Sequence, residues 1–171
     1  MPSDGVSLIT DIGEAKLTEA LGSGVAVQIA EVAMGDGGGA VYDPGAGQTR
    51  LKRELARQAI TRQHLIDTNS WRITAEFDSD TPPFWVREIG FFDTDGDLIA
   101  IWAGADIAAR KTGAIDYVLD HVLNLSRVKE GLVIVSAPDD GLFDLAVSTG
   151  TALANLQLEQ LRHADILRRL T

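Results

Sequence analysis

The chain has 171 residues, 45% of them hydrophobic and 23% charged, which suits one globular domain with a short appendage and excludes a disordered chain. Its 25 acidic and 15 basic residues leave a net charge of -10, which argues against binding nucleic acid by phosphate neutralisation and against an anionic membrane surface. Cysteine is absent, so disulfides, thiol catalysis and thiolate metal sites are excluded.

The N-terminal run MPSDGVSLITDIGEAKL lacks the positive start and apolar core of a leader peptide, and no apolar stretch approaches the roughly 20 residues that span a bilayer. A short helix is predicted over Asp11 to Leu21, with Thr10 or Asp11 as cap, Glu14 at capping-box spacing from Asp11, and Gly22 and Gly24 as terminators. The β-branched run Val25 to Met34 reads as a strand, and Gly35 to Gly47, with its glycines and a proline, as a loop.

Leu51, Leu55 and Ala59 recur at i, i+4, i+8, so Gln48 to Ile60 suits a helix with a wet Arg/Lys/Glu face. Ile60 to Phe77 reads as a hairpin turning at Asp67–Ser70, and Trp71 to Phe77 alternates strictly. Phe84 to Phe92 and Leu98 to Trp102 flank Asp93-Thr-Asp-Gly-Asp97, a second hairpin signal. Within the first of these runs Trp85, Arg87 and Ile89 fall on one face, and Phe84, Val86, Glu88 and Gly90 on the other. Arg87 and Glu88 therefore point apart, and each either meets an opposite charge elsewhere or reaches solvent.

Ile115 to Leu125 is the clearest strand, with Ile115, Tyr117, Leu119, Leu123 and Leu125 on one face interrupted by His121. Leu132 to Val135 and Leu142 to Val147 complete the extended segments. From Ser148 to Thr171 the chain reads as an amphipathic helix. Leu153 and Leu156 stand in a/d register with Leu167 and Leu170, and the polar pair Gln160 and His163 lies between them, a pattern able to fix register and oligomer state in a coiled coil. The predicted class is α+β: a mainly antiparallel β body over 1–147 with an N-terminal helix, and a C-terminal helix over 148–171 for oligomerisation or for binding a distal fibre.

Catalytic chemistry finds no footing. Met34-Gly-Asp-Gly-Gly-Gly39 lacks the Lys-Ser/Thr of a phosphate loop, and Gly37 stands where a serine-protease nucleophile would be. Asp93-x-Asp-Gly-Asp97 lacks the glycine placement and distal glutamate of a calcium loop, so a plain turn is expected. His64, His121 and His163 are scattered without metal-ligand spacing. No catalytic, metal or cofactor site is predicted, and the chain is not expected to be an enzyme. Two carboxylates framing a groove, as a polysaccharide hydrolase needs, are not singled out.

In order along the chain stand Thr10-Asp-Ile-Gly13, Met34-Gly-Asp-Gly-Gly-Gly39, Gln48-Thr49 with Leu51, then Glu54, Arg57 and Ile60, then Phe84-Trp-Val-Arg-Glu-Ile-Gly-Phe-Phe-Asp93, and Asp95-Gly-Asp-Leu-Ile-Ala100. This ordered set, over about residues 7–147, resembles the N-terminal attachment domain of phage tail-collar fibre proteins. Pro82-Pro83 departs from the Gly-rich lead usual before the aromatic strand. The resemblance implies a structural virion protein, made in the host cytoplasm, that holds a fibre to the tail baseplate as a homotrimer. Gly35, Asp36, Gly37, Phe84, Trp85, Arg87, Glu88 and Gly90 become candidates for fold maintenance or for interface contact. Ending at Thr171 after one helix, the chain is expected to act as an adaptor that receives a separate distal tail fibre. The alternative is a carbohydrate- or receptor-binding module using Trp71, Trp85 and Trp102 as stacking plates, although all three are expected to fill the core.

Overall fold

The computed structural model describes residues 7–81, 83–104, 116–125 and 128–139, together with 149, 153, 157–160 and 162. The chain forms two compact units, Met1–Asp139 and Asp140–Thr171.

The first unit opens with β1 (Leu8–Ile9) and α1 (Asp11–Ser23). Thr10, rather than Asp11, caps the helix: its hydroxyl accepts from the Gly13 amide at 3.0 Å and donates to the Leu98 carbonyl at 2.5 Å. The cap thus ties the helix start to the sheet, and Gly24 ends the helix in the left-handed conformation with φ 73°. Gly13 itself admits no side chain, because a Cβ there would lie 2.3 Å from the Ile99 carbonyl oxygen. Thr10 is fully buried, so Thr10→Ala is expected to destabilise the protein by about 1–2 kcal/mol, read from urea melts; no change would remove the cap from the account.

The strands follow as β2 (Val27–Gly35), β3 (Glu54–Ala59), β4 (Arg62–Asp67), β5 (Ser70–Phe77), β6 (Glu88–Asp93), β7 (Leu98–Ala103), β8 (Tyr117–Asn124) and β9 (Val133–Val135). The larger sheet runs β1-β7-β6-β2-β3 with antiparallel neighbours, and β9 joins β2 in parallel. The smaller sheet is antiparallel β4-β5-β8. Both sheets contribute to one apolar cluster that includes Ile29, Met34, Ile89 and Phe91 from the first, and Ile73, Phe77, Leu119 and Leu123 from the second. Leu17 and Ala20 of α1 join it. A second, smaller cluster of Ala33, Leu51, Phe92, Leu98 and Ile101 forms apart from the first.

Alternation explains β5 directly: Trp71, Ile73, Ala75 and Phe77 are buried, while Arg72, Thr74 and Glu76 are not. Asn69, at φ 56°, turns the chain between β4 and β5. Both expected hairpins are present. The expected helix over Gln48 to Ile60 is not: Leu51 is buried in an irregular segment, and residues 54–59 form the strand β3, on which Leu55 is 39% exposed. The regular spacing of Leu51, Leu55 and Ala59 is a coincidence of one loop anchor and an edge strand. The strand expected from Phe84 begins only at Glu88.

Thr149, Leu153, residues 157–160 and Arg162 are helical, and those with a described side chain, Leu153 and Gln160 among them, are exposed. Leu156, His163, Leu167 and Leu170 lie outside the described residues, as do Ile115, Pro82 and the extended segment expected over Leu142 to Val147.

Candidate functional site

The glycine loop and the start of β6 meet around one buried carboxylate. Glu88 is fully buried, at 0% exposure. Its Oε1 accepts from the backbone amides of Gly37 at 3.1 Å and Arg53 at 2.8 Å; its Oε2 accepts from the Lys52 amide at 2.8 Å and the Tyr42 hydroxyl at 2.5 Å. An ionised carboxylate only accepts, and four donors suit it. Of the two alternatives expected for Glu88, an opposite charge or solvent, neither is found in this set: three backbone N–H groups and a phenol satisfy the carboxylate. Tyr42 also accepts from Gln48 Nε2 at 3.3 Å. Burial, with the neighbouring Glu88 carboxylate opposing phenolate formation, pushes the Tyr42 hydroxyl up to about 12, so it stays a donor.

Local backbone geometry makes this convergence available. Gly37, Gly38 and Gly39 take φ 67°, 73° and 89°, a left-handed path that turns the chain back beneath Arg53. Gly35 makes room: a Cβ there would lie 2.3 Å from the Arg53 carbonyl oxygen and 2.4 Å from Glu88 Oε1. Asp36, 5% exposed, accepts from the Gly38 amide at 3.0 Å and from Arg53 Nε at 2.7 Å, with Arg53 Nη2 completing a bidentate pair. The Arg53 guanidinium holds the Asp36 carboxyl below its ordinary value, against the effect of burial. Arg87 is half-buried; its amide donates to the Gly35 carbonyl at 2.9 Å and its Nη1 to the Asp36 carbonyl at 3.4 Å.

Seven of the eight candidates thus lie on one connected region: Gly35, Asp36, Gly37, Glu88 and Arg87 share hydrogen bonds or close contacts, and Asp36, Arg87, Phe84 and Trp85 line one groove. Gly90 is placed differently, packed where a Cβ would lie 2.9 Å from Leu51, Leu98 and Phe92 side-chain atoms. Trp71 is buried and Trp102 half-buried, but Trp85 is 54% exposed, which corrects the expectation that all three tryptophans fill the core. Tyr42, Gln48, Lys52 and Arg53 were not among the predicted residues. Tyr42 is the lone aromatic of the glycine-rich stretch, which is the one signal that could have drawn attention to it.

Elsewhere the turn carboxylates Asp93, Asp95 and Asp97 gather within 4.8 Å of one another, but around a cation the chain supplies itself. Lys16 Nζ pairs with Asp93 and lies 2.8 Å from both Asp95 and Asp97. Burial pulls the Lys16 ammonium down, and the three carboxylates outweigh it and hold the group above its ordinary value. A cavity of about 580 Å³ between α1 and the segment after β8, lined by Leu17, Leu21 and Leu125, shares no residue with the Glu88 region.

Residues 1–113 match the family described as phage tail-collar fibre protein, N-terminal. The chain belongs to the phage tail-collar fibre family. The matched span, shorter at its C-terminal side than the resemblance over residues 7–147, contains the whole Glu88 region. A "Probable tail fiber protein" of Escherichia phage P2 is 42% identical over 100 residues, which make up 56% of this chain and 15% of that protein. This tail-collar fibre protein is therefore a structural component of the virion, associated with the phage tail. Among its described residues no helix is long and apolar enough to cross a membrane.

Proposed function

We propose that this tail-collar fibre protein docks on the tail baseplate through its β body, without enzymatic activity, and carries a distal receptor-binding fibre. The observation that carries the reading is the family match over residues 1–113, which takes in β1 to β7 and the tethered glycine loop. The Glu88 network suits the attachment role. It converts a glycine-rich loop into a fixed surface, so that docking does not have to order the loop.

Assembly is assigned to the tail over 148–171 as a homotrimer, with Leu153, Leu156, Leu167 and Leu170 at the seam and Gln160 and His163 setting register. Light scattering on the purified chain is expected to give the mass of three chains, and a version ending at Val147 the mass of one. A trimer that survives truncation would move assembly into the body and leave the tail for a partner. A monomer in both cases would overturn the trimeric reading. One observation favours a second reading, a carbohydrate-binding module: Trp85 is exposed. Retention on a glycan array at millimolar affinity or better, abolished by Trp85→Ala, would support it.

A further inference from the structure

We propose that the groove beside Trp85 receives an acidic, apolar-edged segment of another tail protein, a reading that rests on the attachment role above. The groove encloses about 510 Å³. Its walls present Trp85, 54% exposed, and Leu55, 39% exposed, and its rim carries the guanidinium groups of Arg53 and Arg87.

Charge decides the class of partner. The chain carries a net charge of -10, yet Arg50, Lys52, Arg53 and Arg57 fall within eight residues. Arg57 turns to Glu31, Glu54 and the face of Phe92, while Lys52 and Arg53 border Glu88 through their amides. Among the described residues that line the groove, Asp36 is the single acidic side chain beside Arg53 and Arg87, so the rim carries net positive charge on an acidic protein. Both arginines are already positioned. The Arg53 amide is held by Glu88 and its guanidinium by Asp36; the Arg87 amide is held by Gly35 and its Nη1 donates to the Asp36 carbonyl. A planar guanidinium fixed in this way loses little freedom when a carboxylate arrives. Exposed tryptophan beside arginine is also the composition that dominates binding energy at protein interfaces.

A neutral sugar fits less well. Its hydroxyls need acceptors beside the aromatic plate, and Asp36, the one carboxylate among the described residues of the groove, already accepts from Arg53 and Gly38. A second copy of this chain is acidic as well, and the solution mass of the groove variants separates it from another tail protein.

The test uses tail particles produced from the chain's own tail gene cluster with this gene deleted, incubated with the purified full-length protein and sedimented. Wild-type protein is expected to decorate the particles, less tightly as salt rises. Trp85→Ala and Arg87→Glu are each expected to weaken decoration by tenfold or more, with unchanged thermal unfolding. Val118→Ala, at a residue 56% exposed on the smaller sheet, is expected to decorate as wild type does. If wild type decorates and both groove variants match it, the docking site is elsewhere: this proposal falls and the attachment role stands. If wild type does not decorate, the attachment role fails and the proposal with it. If Trp85→Ala lowers the solution mass while each bound copy still decorates, the groove is a contact between copies. If the variant loses glycan-array binding but still decorates, the groove is a sugar site. Either result overturns the proposal.

Discussion

Replacing Glu88 with alanine is expected to destabilise the body by about 4 kcal/mol, lowering the melting temperature by roughly 10 °C. The side chain is fully buried and takes four donors, three of them backbone amides from two segments distant in sequence. Each hydrogen bond to a charged acceptor contributes about 1.5–3 kcal/mol net, and bonds that share one acceptor do not add fully. Alanine removes the acceptor and leaves the Gly37, Lys52 and Arg53 amides to find water or shift. Glu88→Gln should cost less, about 2 kcal/mol, because it keeps the volume and one oxygen but sets an amide NH₂ against two donors. Tyr42→Phe should cost about 1 kcal/mol, and the double variant with Glu88→Gln less than the sum, since the two share a bond. Urea melts give the energies. Hydrogen exchange gives the location: the Gly37, Lys52 and Arg53 amides should lose protection in Glu88→Ala ahead of the core strands. A Glu88→Ala protein within 1 kcal/mol of wild type would show that the loop holds itself.

The contrast between Glu88 and its surroundings explains what the amino-acid sequence discloses and what it conceals. Strands whose two faces differ are legible from alternation alone, as β5 shows with Trp71, Ile73, Ala75 and Phe77 turned inward. Turns with Asp-Gly or Asn are legible from local chemistry, and so is α1 with its cap at Thr10. The strand β3 is not, because an edge strand carries no strong apolar face, and a buried Leu51 just before it completes a false helical period. Phe84, Trp85, Arg87 and Glu88 stand out by composition, but the partner of Glu88 does not. Backbone amides are present at every position, so a carboxylate satisfied by them has no complementary residue to find. The groove was hidden for the same reason: it needs Arg53, from a stretch read as the wet face of a helix, to fold over Asp36. The exposure of Trp85 follows from alternation that persists ahead of β6: Phe84, Val86 and Glu88 are buried, and Trp85 and Arg87 take the opposite face.

The stability of this protein is expected to fall by about 3 kcal/mol through a single histidine as the pH drops from 6.5 to 4. His121 lies on the core face of β8, stacked on Phe91 at 5.5 Å between ring centroids and tilted against Trp102 at 4.7 Å. Its Nε2 and the Trp102 Nε1 are both buried without a hydrogen-bond partner among the described residues. Burial therefore disfavours the imidazolium and pushes His121 down to about 4, with the nearby Asp120 carboxylate opposing the shift only weakly. In the unfolded chain the ring takes up its proton near pH 6.5, while the folded ring resists until about pH 4, so the unfolded state binds more protons throughout that window. The contribution is fully present above pH 6.5 and is lost as pH falls toward 4. Asp36 and Asp120, held below their ordinary values by Arg53 and Arg72, weaken the fold in the same direction, but their unfolded partners titrate near 3.8. Their losses therefore come mainly at the acid end, after that of His121. His121→Phe keeps an aromatic ring between Phe91 and Trp102 and removes the proton. Urea midpoints measured at pH 7 and pH 4.5 should show wild type losing about 2 kcal/mol more than the variant between the two. Equal losses in both proteins would mean that the ring is charged in the native fold or reached by water, and would move the acid sensitivity of the body to its carboxylates.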